Sequence, residues 1–251
     1  MLRIPVGLVA LVAVAIVAAT AASSAAAATT CTGGVFNGVA ISDGLIVSGD
    51  CVYVNSAISG GVQVTSSGGL ELENSAVSGG IVVSPGGELD VGHRLGSPVA
   101  TGLPNSISGG ITFNSGRDID LINATVSGPT KITGPTPNAV VQVCGSILDS
   151  LELTGVSGSF TEVHVGDPGE PFEAGTPADC PGNVVSGGIT VRNSNLVEIE
   201  GNVVSGGISI FDSTLIEVAG NIVSGGINCS NVMPYSDGDH TPNIGGPNTC
   251  P

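Results

Sequence analysis

The side chains with most chemical potential in this chain are its 21 carboxylates, set against only five lysines and arginines. They are placed with a period. Glu71, Asp120, Glu198 and Glu217 each stand seven residues before a Ser-Gly pair, and Glu73 and Glu200 stand five before theirs. Carboxylates repeated at a fixed spacing can do three things. They can hold a hard cation such as Ca²⁺, which takes oxygen ligands. They can pair as acid and base for glycoside hydrolysis; Asp118 and Asp120 are one such pair, although nearly every repeat offers a similar one. Or they can form a solvated outer face that keeps the molecule soluble. No EF-hand loop or calcium-binding nonapeptide repeat accompanies them. Ca²⁺ is therefore the only cofactor the ladder Glu71, Asp120, Glu198, Glu217 raises, and no organic cofactor is expected.

The basic and nucleophilic residues are sparse. His93 and Arg94 are adjacent, and Glu162 precedes His164 by two. These four form the best catalytic grouping on offer, because lysis of an acidic polysaccharide needs a base and hydrolysis needs a proton donor. Aromatic platforms for sugar stacking are scarce: there is no Trp, with two Tyr and five Phe. The balance leans away from an enzyme. The net charge of −16 excludes nucleic acid and anionic membranes as partners, and leaves cations or basic polymers.

What must position these residues is a repeat. Ser-Gly-Gly occurs at Ser59, Ser78, Ser108, Ser186, Ser205 and Ser224, with degraded copies at Ser127-Gly128 and Ser157-Gly158. The regular interval, as from Ser186 to Ser205 to Ser224, is about 19 residues, the length of a short solenoid repeat. Each serine is preceded by Val or Ile, and apolar residues follow at the third and fifth positions, which is the two-residue period of a strand with one face inward. The third-position column includes Thr130, Phe160 and Ile189, and the fifth includes Ile132, Glu162 and Val191. A second strand alternates apolar and acidic residues, as in Leu70-Glu71-Leu72-Glu73. Asn183, Asn202 and Asn221 each precede the repeat serine by three, a spacing that lets amides stack from coil to coil.

Strands recurring at this interval, with no helical pattern between them, predict an all-β fold: a parallel β-helix (β-solenoid) of about nine coils, right-handed by the crossover rule. Three intervals are long: Ser78 to Ser108, Ser127 to Ser157 and Ser157 to Ser186. They place loop insertions near 92–104 and 166–182 at one corner of the rod, and a break at Gly134–Pro137. An antiparallel sandwich is the competing fold, but it requires no in-register columns.

Met1-Leu2-Arg3, the apolar run from Val6 to Val17 and the Ala-rich tail read as a secretory signal peptide over 1–28. No later segment is apolar enough to span a membrane. Residues 29–251 then form one solenoid domain, with an N-terminal cap at 29–58, repeat coils at 59–227 and a C-terminal cap at 228–251. The six cysteines, even in number, predict disulfides in an extracellular chain. Six allow 15 pairings. The economical choice is sequential: Cys31 with Cys51, Cys144 with Cys180, and Cys229 with Cys250. Capped ends predict a monomer, since open sheet edges invite association.

The regularly spaced Ser-Gly-Gly-Ile/Val, from Ser48 to Ile227, resembles the passenger repeats of AIDA-type autotransporter adhesins. The resemblance implies a β-solenoid that presents an adhesive surface. The segment after Ile227 is too short for that family's translocating barrel, so its delivery route is not carried over. The expectation is a secreted structural or adhesive surface protein without catalytic activity, facing extracellular polysaccharide or cell-surface components. The alternatives are a polysaccharide lyase or glycosidase of β-helix type, and a cation-dependent binding module.

Overall fold

A computed structural model of the chain describes residues 27–92, 104–135, 139–157, 163–166, 180–236 and 242–251. Apart from its last two residues, the expected signal peptide lies outside them. Every strand pairing is parallel and joins one coil to the next. A representative coil has three strands, Val62–Val64, Gly69–Glu73 and Ala76–Ser78, so the rod is three-sided. We call the stacks containing these strands the first, second and third sheets. Among the described residues each sheet contains nine successive pairings and therefore ten strands, as the first sheet illustrates. Nine steps of about 4.8 Å make a rod about 43 Å long. The segment expected as an N-terminal cap is itself coiled: 29–58 supplies the first two strands of every sheet.

The alternation read from the sequence sets the inside of the rod. Leu70, Leu72, Leu89, Val91, Ile119 and Leu121 fill the core from the second sheet, and the repeat columns fill it from the other two. The corner between the third and first sheets is the Ser-Gly-Gly. Close approach demands glycine there: a Cβ on Gly225 would lie 2.6 Å from Gly206 O, and one on Gly187 would lie 2.6 Å from Asp149 O. The corner after the second sheet needs a left-handed residue. Asn55, Asn74, Asn123, Gly166, Gly201 and Gly220 occupy it, all with φ between 46° and 66°.

One register differs from the expectation. The corner after Thr130's coil is not at Ser157. Leu148 pairs with Val126 and Val185, while Leu151 and Leu153 stand where Phe160 and Glu162 were expected. The reason is local. Asp149 replaces the glycine corner, and its Oδ2 accepts the Gly128 N–H at 2.7 Å, so the turn closes one residue short. A glycine count cannot see such a corner.

The three disulfides join Cys31–Cys51, Cys144–Cys180 and Cys229–Cys250, the sequential pairing. They suggest an oxidising compartment. The long insertions leave at one corner, after the second sheet: Val91 leads to Asn105, and Val165 leads to Val184. Most of both insertions lies outside the described residues.

Inside that same corner runs a buried polar ladder. Asn183, Asn202 and Asn221 are at most 1% exposed. Asn183 Nδ2 donates to Asn202 Oδ1, Asn202 Nδ2 to Asn221 Oδ1 and Asn221 Nδ2 to Asn243 Oδ1, each at 2.9 Å. Asn202 and Asn221 each donate also to a strand carbonyl, and each accepts the backbone N–H of the asparagine one coil before it. Serines continue the column: Ser56, Ser75 and Ser146 each accept a backbone N–H and donate to a strand carbonyl with one hydroxyl. The ladder satisfies backbone groups that a turning, buried chain would otherwise leave orphaned.

Candidate acidic site on the second sheet

On the second sheet one outward column runs through successive coils. Register pairs Val52 with Glu71, then Asp90, Asp120, Gln142, His164, Glu198 and Glu217 in succession. The four expected ladder residues do stack. Counting back from the following serine crosses the insertions and so misses three more members, Asp90, Gln142 and His164. Counting forward recovers one of them. Glu71, Asp90, Asp120, Glu198 and Glu217 all stand at the twelfth position after Ser59, Ser78, Ser108, Ser186 and Ser205.

The column is not the solvated face its composition implied. Glu71 is 6% exposed, Asp90 4% and Gln142 3%. Beside the column, the Cys144–Cys180 bond packs Cys180 against Ile122. Gly145 N–H donates to Pro181 O at 2.7 Å and fastens the same segment.

Burial changes the acid chemistry. It pushes the Asp90 carboxyl well above the usual range, helped by Asp120, Glu88, Glu71 and Asp118. Asp120 is pushed up to about 7, first by burial and then by Asp118 and Glu88. Burial also raises Glu88, and Arg117 opposes this at 2.7 Å. Asp118 Oδ1 accepts the Val140 N–H at 2.7 Å. Asp90 and Asp120 are register partners on adjacent strands and cannot both ionise cheaply. Each therefore keeps its proton to higher pH than a free carboxyl does.

Further along the column, His164 Nδ1 lies 3.0 Å from Glu198 Oε2, with both side chains largely buried. Beyond it an open hollow of about 180 Å³ is lined by Leu196, Glu198, Leu215, Ile216, Glu217, Pro234 and Tyr235. Leu196 and Leu215 occupy equivalent places in successive coils and both have positive φ, 56° and 52°. This conformation is uncommon for a bulky residue and is held only where surroundings enforce it. The hollow thus sets two carboxylates between apolar walls.

Of the expected catalytic grouping, only His164 is placed, in the strand Val163–Val165 and within the column. His93, Arg94 and Glu162 lie outside the described residues. Three cations are engaged elsewhere: Arg117 with Glu88, Lys131 with Glu152 at 3.4 Å, and Arg192 over the Phe211 ring at 4.2 Å. Among the described residues no three His, Cys, Asp or Glu side chains converge as a metal-ligand set. No family model, curated protein or solved structure matches the chain, so its likeness to adhesin repeats rests on the coil.

Proposed function

We propose that the protein is a secreted structural or adhesive β-solenoid that engages cationic groups of an extracellular surface or polymer through the C-terminal end of its acidic ladder, without a catalytic step. The observation that carries this reading is the pair of leucines, Leu196 and Leu215, held at positive φ beside Glu198 and Glu217. Two carboxylates with apolar walls suit an ammonium on an apolar stem, such as a lysine side chain or an amino sugar. The charge meets the carboxylates and the stem covers the leucines. The site is preorganised on rigid strands, so little ordering is needed on binding. Repetition at the coil spacing suits a polymer better than a single small cation.

Polylysine and a cationic polysaccharide should bind the protein saturably and more weakly as salt rises. The double variant Glu198→Gln/Glu217→Gln should weaken binding by about tenfold or more, whereas Asp43→Asn, at an exposed corner of the first coils, should not. Equal loss in both variants would mean diffuse charge attraction and would overturn the assignment. Release of new reducing or unsaturated ends from any polysaccharide would favour the enzyme alternative instead.

A further inference from the structure

The third sheet carries an exposed aliphatic ridge. Ile147, Val184, Val203, Ile222 and Ile244 are register partners in five consecutive coils, and each is 43–64% exposed. Single exposed aliphatics are ordinary, but a contiguous row is not. The chain contains its own control. The same column in the first five coils is Ala40, Ala57, Ala76, Ser106 and Thr125. The fold is therefore satisfied by small or polar residues at this position, and coil formation does not explain the ridge.

We propose that the ridge is a self-association surface, and that its occupant is the ridge of a second copy of this chain. Charge supports a copy as partner. Among the described residues this outward column carries no charge, whereas the acidic ladder lies on the second sheet, so ridge-to-ridge packing points the two ladders away from the contact. The exposed serines Ser186, Ser205 and Ser224 flank the ridge as a second rank, whose one charged member is Asp149 in the coil of Ile147. Together the two ranks present an area on the order of 600 Å², so a pair would bury about 1,200 Å², the lower bound for a specific interface. A two-fold contact is self-complementary by construction. With rods antiparallel, Val203 faces Val203, Val184 faces Ile222 and Ile147 faces Ile244. With rods parallel, Val203 again faces itself.

That coincidence supplies a test. All six cysteines are in disulfides, so Val203→Cys introduces the one free thiol. Under mild oxidation Val203→Cys should give a covalent dimer much faster than Ala57→Cys, a control in the same column. Sedimentation velocity across the micromolar range should show a reversible dimer of the wild type, strengthened by salt. Val203→Thr/Ile222→Thr copies the residue that Thr125 already places in this column, so it should fold normally and dissociate at least about tenfold more readily. A wild type that stays monomeric throughout, or equal cross-linking rates for the two cysteine variants, overturns the proposal. A monomer that instead adsorbs to an apolar surface through the ridge overturns the choice of occupant.

Discussion

Asn202→Ala is expected to lower unfolding stability by about 5 kcal/mol, the largest effect of any single polar substitution in the rod. Asn202 is fully buried. Its Oδ1 accepts from Asn183 N–H at 2.8 Å and from Asn183 Nδ2 at 2.9 Å. Its Nδ2 donates to Val165 O at 2.7 Å and to Asn221 Oδ1 at 2.9 Å. Alanine leaves a backbone N–H, a carbonyl and two amide groups short of partners where water does not reach, at about 1–3 kcal/mol for each fully orphaned group. Asn202→Ser should cost less than half as much. Ser146 holds the equivalent place two coils earlier with one hydroxyl, which donates to Leu121 O at 3.0 Å and accepts the Ala124 N–H at 3.1 Å. Urea unfolding of the three proteins checks the order. Alanine and serine variants of equal stability would show that the ladder is not what holds the corner. The chain has a natural lesion of this kind: Ala124 interrupts the column, and buried Asn105 Nδ2 is without a hydrogen-bond partner among the described residues.

The second large effect is one of pH. The Asp90 and Asp120 pKa values are raised in the folded state, so between about pH 4 and pH 7 the folded chain keeps protons that the unfolded chain has released. Stability contributed by this pair is present below the unfolded value and is lost as pH rises through the folded one. The protein should therefore be more stable at pH 5 than at pH 8. Taking Asp120 from 3.8 to about 7 corresponds to roughly 4 kcal/mol. Asp120→Asn keeps the shape and removes the charge. It should recover about 2–4 kcal/mol at pH 8, gain little at pH 5, and flatten the pH profile. Denaturant midpoints at the two pH values measure this. Stability that climbs from pH 5 to pH 8, or an equal effect of Asp120→Asn at both, would show that the two carboxyls are not held protonated by burial.

The asparagine ladder and the carboxylate column differ in how far residue order reveals them. The Asn ladder is readable because Asn183, Asn202 and Asn221 keep one spacing from a glycine motif in uninterrupted coils. Its serine members are not, since serine is common at turns and Ser146 sits in the coil whose corner has no glycine. The carboxylate column is half readable for the same reason. Glu198 and Glu217 fall between intact repeats and Asp90 is reached only by counting forward, whereas Gln142 and His164 lie on either side of a displaced corner. The corner expected at Ser157-Gly158 shows the limit directly. Asp149 performs by a side-chain hydrogen bond what the motif performs by lacking a side chain.

The coil, its period, the inward columns of the regular repeats and the corner at which the long insertions leave all follow from the order of residues, whereas the sequential disulfides are one choice among 15. The former depend on alternation and on glycine at close approaches, which are properties of neighbours along the chain. Other features emerge only when the coils are stacked. These are the burial of the acidic face, the raised pKa values of Asp90 and Asp120, the hollow walled by Leu196 and Leu215, and the exposed ridge of five aliphatics from five coils. Burial and electrostatic coupling depend on which side chains lie one coil apart. In this chain that partner is as near in sequence as Leu45 is to Thr29, and as distant as Ile189 is from Leu151. A fixed period cannot supply that register once insertions intervene.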